Sequence, residues 1–328
     1  MIIVRAPLRI PLGGGGTDLP SYYEKRGGAL ISAGINKYVY VSVNKRFEQS
    51  IRVSYSKTEI VDKLDEIEHP IVREALRLLG LDRQIEITTV ADIPGNSGMG
   101  SSSTFAVALL LALHTYKREH VDPRRLAEEA YHIEREILHE PVGKQDQYLA
   151  AYGGITTMDI GRDGEVEVGN VVMSEQTHDD FESNLLLFYT GIHRKASEVL
   201  AAQDKGAKES DEAMLQRLDT IKDIGMKIRS CVTQGDIRGF GALMHTHWEM
   251  KRKLSSKVSN AEIDEWYELA RRNGALGGKL MGAGGGGFLL IYCDSEKARL
   301  RSAFAAAGLR EVRFHVDWEG AKVLANVI

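Results

Sequence analysis

The chain has 328 residues, 43% hydrophobic and 27% charged, with 42 lysines and arginines against 46 aspartates and glutamates for a formal net charge of −4. At roughly 100–200 residues per domain this length points to about two domains with cores of their own, and the composition excludes disordered, collagen-like and membrane-embedded chains. Without a basic excess, binding to nucleic acid or to a lipid surface has no electrostatic support, and the two cysteines, Cys231 and Cys293, read as buried thiols of a reducing compartment, not as a bridge or a metal site.

In chain order, Ile2 to Ile10 reads as a strand that Pro11 and the run Gly13-Gly-Gly-Gly16 bring to an end. Thr17-Asp18 follows, and Pro20 argues against an immediate helical continuation. Tyr38 to Asn44 and Ile85 to Val90 alternate as strands do. Asp92 to Thr104 is a glycine- and serine-rich turn opening into Phe105 to Leu113, a helix apolar nearly all round and therefore buried. Those nine apolar residues fall well short of the roughly 18–20 that span a bilayer, and the N-terminus lacks the pattern of a signal peptide. A cytoplasmic protein is expected. Asp122-Pro123 supplies an N-cap and a first-turn proline for a helix running to about His139.

Beyond Gly153-Gly154, strands are predicted at 155–160, 165–172 and 185–189, helices through most of 195–273, then a strand at 288–293, a helix at 295–306 and a strand at 312–316. All seven prolines lie at or before Pro141. These changes place a domain boundary between residues 160 and 184, and the division used is 1–170 and 171–328 in an α+β protein.

Of the 33 glycines, 17 crowd into residues 13–28, 95–100 and 274–287, where backbone must turn sharply or lie close to a ligand. Pro94-Gly-Asn-Ser-Gly-Met-Gly-Ser-Ser-Ser-Thr104 joins a strand to a helix N-terminus. Its amides, the helix dipole and its hydroxyls make an anion cradle. No Lys-Ser/Thr follows the glycines, so it is no Walker A loop, and no G-x-S-x-G makes it an esterase elbow. Gly282, Gly284 and Gly287 match G-x-G-x-x-G, yet the next element is a strand, so the dinucleotide reading fails. Arg9 and Asp18 could present a cation and a carboxylate to one polar ligand such as a sugar. The polar run Lys144-Gln-Asp-Gln147, taken alone, is a solvated face. His245 and His247, two apart on a predicted helix, point to opposite sides and make no metal pair.

Taken together in this order, Arg5 to Asp18, Pro94 to Thr104 and Lys279 to Phe288 resemble the three motifs of the GHMP small-molecule kinases, along essentially the whole chain. Pro94 to Ser102 follows that family's P-x-G-x-G-L-G-S-S phosphate loop with one of its glycines replaced and methionine in the leucine's place. The resemblance implies a ribosomal-S5-like N-terminal domain, a ferredoxin-like C-terminal domain and a site in the cleft between them. Galactokinases read G-E-H-T-D-Y where this chain has Gly14-Gly-Gly-Thr-Asp-Leu19. The glycine run, Gly143-Lys-Gln-Asp-Gln-Tyr148 and Thr190-Gly-Ile-His-Arg194 look most like the branch that phosphorylates D-glycero-D-manno-heptose 7-phosphate at its anomeric hydroxyl, on a route to nucleotide-activated heptose. Fucokinase- or galactokinase-like sugar 1-kinases, mevalonate-type kinases and a non-catalytic sugar-phosphate sensor stay open as alternatives.

By the same resemblance, Asp146 accepts or orients the acceptor hydroxyl's proton and Arg9 helps hold the catalytic centre. Pro94, Gly95, Ser97, Gly98, Gly100, Ser101, Ser102 and Ser103 bind ATP. Ser102 and Glu134 hold Mg²⁺, with Glu136 as the alternative carboxylate. Gly15, Gly16, Thr17, Asp18, Gly284 and Gly285 contact the sugar, and Arg194 is the candidate for its distal phosphate. The expected partner is a small sugar phosphate, with neither nucleic acid nor membrane, and the sequence is silent on oligomeric state.

Overall fold

The computed structural model describes residues 1–95, 97–192, 212–255 and 257–327. Two sheets organise it. The larger holds β1 (Ile2–Gly13), β2 (Gly28–Lys45), β3 (Ile51–Ser54), β4 (Thr58–Val61), β5 (Ile85–Ala91), β6 (Ile155–Ile160), β7 (Val166–Asn170) and β12 (Lys322–Asn326). Its strand order is β12-β1-β2-β5-β3-β4, and β6 pairs with both β2 and β7. The smaller sheet, in the order β11-β8-β10-β9, is antiparallel and combines β8 (Leu185–Tyr189), β9 (Gly277–Leu280), β10 (Phe288–Tyr292) and β11 (Arg310–Glu311).

β2 is one long strand doing two jobs: residues 28–33 pair with β6, residues 39–45 pair with β5, and β1 runs antiparallel along its other edge. Only its second half carries the clean alternation that the sequence displays. The first half, Gly28-Ala-Leu-Ile-Ser-Ala33, is buried on both faces and so shows no period to read. From Ala6 onward β1 is likewise buried on every residue, because helices α3 (Ser101–Tyr116) and α7 (Glu212–Gln234) pack against β1 and β2. α3 contributes Phe105 to Leu110, Ala112 and Leu113 to that core.

The remaining helices are α1 (Pro20–Arg26), α2 (Pro70–Leu78), α4 (Pro123–Tyr131), α5 (Gln145–Tyr152), α6 (Glu175–Asn184), α8 (Ile237–Arg252), α9 (Ala261–Arg272) and α10 (Lys297–Ala306). α4 starts as its sequence predicts: Asp122 accepts the Arg125 amide at 2.9 Å, with Pro123 in the first turn. Pro20, however, starts a helix where a break is expected. It occupies the first position of α1, where a missing N–H costs nothing and the fixed φ already suits the helix. The strand predicted at 312–316 is not formed. β11 ends at Glu311 and the chain crosses towards the larger sheet, touching it at an isolated Ile35–Val316 bridge before β12 pairs with β1. Cys231 is half-exposed and Cys293 buried, both as free thiols. No described helix is long and apolar enough to cross a membrane.

Candidate active site

One cavity gathers residues from both sheets. Arg9 and the 15–18 loop reach it from β1, residues 97–103 from the loop into α3, Asp146 from α5, His247 and Lys251 from α8, and Lys279 with Gly282 and Ala283 from β9 and the turn beyond it.

The loop before α3 has the geometry of an anion cradle. Gly98 and Gly100 take φ of 77° and 76°, a left-handed conformation that glycine adopts without strain. No side chain caps the first turn of α3, so its amides remain available. Ser97 Oγ and Ser101 Oγ are buried without a hydrogen-bond partner, and both residues line the cavity. Buried hydroxyls left unmatched beside free helix amides are what a phosphate chain would satisfy. Pro94 and Gly95 are exposed and stand outside the cavity wall.

Arg9 is the hub. Its Nε and Nη2 donate to Asp146 Oδ1 and Oδ2, each at 2.7 Å, and its Nη1 donates to the Gly98 carbonyl at 2.6 Å. This two-pronged pairing fixes the plane of the carboxylate and ties it to the loop before α3. A Cβ on Gly100 would stand 3.0 Å from Asp146 Oδ2, which shows how closely the loop approaches that oxygen. Asp146 lies in the first turn of α5. The run that reads as a solvated face is in fact mostly inside: Gln145 and Gln147 are buried, and Lys144 folds back on Glu128.

Glu134 and Glu136 separate cleanly. A π-helical stretch, His132–Ile137, follows α4 and turns Glu134 inward, where its carboxylate accepts from Ser102 Oγ and from Gln147 Nε2, both at 2.7 Å. Its residue is 1% exposed, and burial pushes its pKa up. Glu136 is 59% exposed and pairs with His132. An all-oxygen pair of one carboxylate and one hydroxyl suits Mg²⁺, which keeps most of its shell for water and nucleotide phosphates. Among the described residues no three His, Cys, Asp or Glu side chains are gathered to hold a metal unaided.

Asp18 is buried, its oxygens accepting from the Gly16 and Gln145 amides at 3.1 Å each, and burial raises its pKa. Gly15 and Gly16 also face the cavity, but Thr17 does not. Its hydroxyl braces the loop by donating to the carbonyls of Gly14 and Ala29. Gly284 and Gly285 pack against Val258 instead of the cavity, the Gly285 amide bonding the Val258 carbonyl at 2.9 Å, and Gly282 and Ala283 take the lining position. Arg194 lies outside the described residues.

Sequence reasoning gave no role to three basic cavity residues: His247, Lys251 and Lys279. The i, i+4 spacing of His247 and Lys251 on α8 was the available signal. Burial, with Arg9 nearby, pulls the Lys251 pKa from 10.5 down to about 7, and Lys279, which also faces His247, is lowered in the same direction. Unfolding restores the ordinary lysine value. Between about pH 7 and 10 the unfolded chain therefore binds more protons, and the folded state gains stability as pH rises through that window. The urea midpoint of ligand-free protein should be higher at about pH 9 than at about pH 7, and Lys251→Met should reduce that rise. A wild-type midpoint that stays level or falls would contradict it.

With this geometry in place, comparison with known proteins decides the family. The N-terminal domain of GHMP kinases matches residues 66–154, and the GHMP kinases C-terminal domain matches residues 228–309. The chain is also 30% identical to a D-glycero-alpha-D-manno-heptose 7-phosphate kinase of Campylobacter jejuni, over 90% of each chain. The chain belongs to the GHMP kinases. This GHMP kinase is also 28% identical, over 90% of its own length and 35% of the relative's, to an L-fucokinase/L-fucose-1-P guanylyltransferase of Bacteroides fragilis. Its fold matches that of a D-glycero-D-manno-heptose 1-phosphate kinase from Bacteroides thetaiotaomicron with a TM-score of 0.81 and 24% identity over the whole of both chains. It is thus an ATP-dependent phosphotransferase acting on an alcohol group, with the α+β architecture of its family.

Proposed function

We propose that this kinase transfers the γ-phosphoryl group of ATP to the anomeric hydroxyl of D-glycero-D-manno-heptose 7-phosphate, giving the 1,7-bisphosphate. The observation that carries the reaction type is the Arg9–Asp146 pair, whose guanidinium also grips the Gly98 carbonyl of the phosphate loop. It sets an oriented carboxylate beside the place where a terminal phosphate would rest. The relative named above supports the choice of sugar.

In this reading Ser97, Gly98, Gly100, Ser101, Ser102 and Ser103 cradle the triphosphate, with Pro94 and Gly95 at the outer edge of the nucleotide site. Asp18, Gly15 and Gly16 hold sugar hydroxyls. Glu134 and Ser102 would hold Mg²⁺, whose charge offsets that gathering on the phosphate oxygens. One Asp146 oxygen receives the hydroxyl proton as the sugar oxygen bonds to the γ-phosphorus and the bridge to the β-phosphate breaks. An anomeric hydroxyl is more acidic than an ordinary alcohol, so orientation is a large part of what the carboxylate contributes. The chain divides functionally near residue 170: the N-terminal part handles the ATP phosphates and the proton, and the C-terminal part closes the cavity with α8, β9, Gly282 and Ala283. ATP and Mg²⁺ are cytoplasmic reagents, so the cytoplasm is the compartment proposed.

A coupled ADP-release screen over heptose 7-phosphate, free heptose, mannose, fucose, galactose and mevalonate tests this. Heptose 7-phosphate should give the highest kcat/KM by at least about tenfold, a difference of about 1.4 kcal/mol in transition-state binding. A faster reaction with fucose or galactose would replace the proposed substrate.

A further inference from the structure

Three basic groups in the cavity wall have no part in the chemistry above. Lys279 on β9 is 1% exposed, and its Nζ donates to one group, the Leu12 carbonyl at 3.4 Å. Lys251, in the last turn of α8, donates to the carbonyls of Leu280 and Gly282. His247, one turn earlier on the same helix, is 1% exposed, and neither of its ring nitrogens has a hydrogen-bond partner. Among the described residues no carboxylate pairs with any of the three. Their charged neighbour is Arg9, itself a cation whose partner Asp146 is already engaged.

Buried ammonium groups are rare unless paired, because desolvation is costly and mutual repulsion adds to it. Here the cost is visible in the lowered affinity of both lysines for protons. Carbonyl oxygens satisfy N–H donors but supply no net negative charge. An anion of about two charges that reaches the cluster through the cavity would recharge and pair it.

The nucleotide is a poor fit for that anion, since the loop before α3 has its own amides and unmatched serine hydroxyls for the triphosphate. Lys279 lies instead on the acceptor side: its ammonium touches Leu12, one residue before the glycine run that leads to Asp18. We infer that Lys279, Lys251 and His247 form the seat of a phosphomonoester carried at the far end of the sugar, and that this seat sets the preference for sugar phosphates over free sugars. Two ammoniums and an imidazole N–H supply donors to the three outer oxygens of such a group. The inference rests on the proposal that the acceptor is a sugar phosphate, and it names the residues that would make it one.

The test compares kcat/KM for heptose 7-phosphate with that for unphosphorylated heptose, at saturating ATP, in wild type, Lys279→Met and Lys251→Met. Methionine keeps the length of the lysine stem without the buried charge, so folding should survive, with a thermal midpoint at or above that of wild type. Each substitution should cut the ratio of the two kcat/KM values by about 10–100-fold, mainly through KM for the phosphorylated sugar, as expected for lost charge-assisted hydrogen bonds. A ratio that survives both substitutions overturns the seat and leaves the substrate standing. A wild type indifferent to the 7-phosphate overturns both. Wild-type calorimetry adds a check that needs no variant: at about pH 8, binding of heptose 7-phosphate should take up protons as the lysines recharge, seen as heat that depends on the buffer, and binding of heptose should not. Absence of that uptake would also remove the seat.

Discussion

Asp146→Asn should lower kcat by about 10²–10⁴-fold while ATP affinity stays within about threefold, the range that general acid–base assistance supplies. The geometry makes this substitution harsher than its size suggests. The native carboxylate meets two Arg9 donors with two acceptor oxygens. Asparagine keeps one acceptor and sets an amide N–H against the other donor, so it loses the proton acceptor and half of the fork together. Asp146→Ala should be as damaging or more so, because Arg9 then keeps only its Gly98 contact and no carboxylate orients the sugar. ATP binding is spared since Arg9 Nη1 still reaches the Gly98 carbonyl. Near-wild-type kcat for Asp146→Asn with saturating heptose 7-phosphate, Mg²⁺ and ATP would falsify the assignment.

Glu134→Gln should reduce activity by about 100-fold at low Mg²⁺ and recover part of it as Mg²⁺ is raised, the behaviour of a weakened metal ligand. The thermal midpoint separates this from loss of fold. Burial makes the ionised Glu134 costly at neutral pH, and glutamine removes that cost, so the thermal midpoint should hold or rise. Glu136→Gln is the built-in control, since that side chain pairs with His132 at the surface, and its activity should remain within about twofold. If Glu136→Gln instead shows the Mg²⁺-dependent loss, the metal carboxylate is two positions further along the chain.

What could be read from the sequence followed from how much each residue's neighbours constrain it. The loop before α3 was legible as an anion cradle because glycine and serine clustering at a strand-to-helix junction has few other uses, and the buried, unpaired Ser97 and Ser101 fit that reading. The Arg9–Asp146 pair came from resemblance, not from spacing: its members are 137 residues apart, and no local pattern marks such a contact. Periodicity missed half of β2 because burial on both faces erases alternation. It left Glu134 and Glu136 unresolved because the π-helical stretch changes the helical register at the very place where facing must be known. Lys251 and Lys279 escaped because lysine normally means surface, and only the fold shows that these two are enclosed. Pro20 misled because proline's effect depends on its position in a helix, and the sequence does not say where α1 begins.

The pairing of β12 with β1 also bears on how the molecule assembles. Residues 2–5 take Asn326 to Lys322 as their antiparallel neighbours, a contact between segments far apart in a chain made from one end. Until the ribosome has delivered residues 322–326, the outer edge of β1 stays bare, and a bare apolar edge is an invitation to pair with another molecule. Arg9 lies further along β1, opposite Gly34 of β2 and beyond the part that β12 covers. The scaffold around Arg9 can therefore set early through the pairing of β1 with β2, while the long-range closure that shields the sheet comes later.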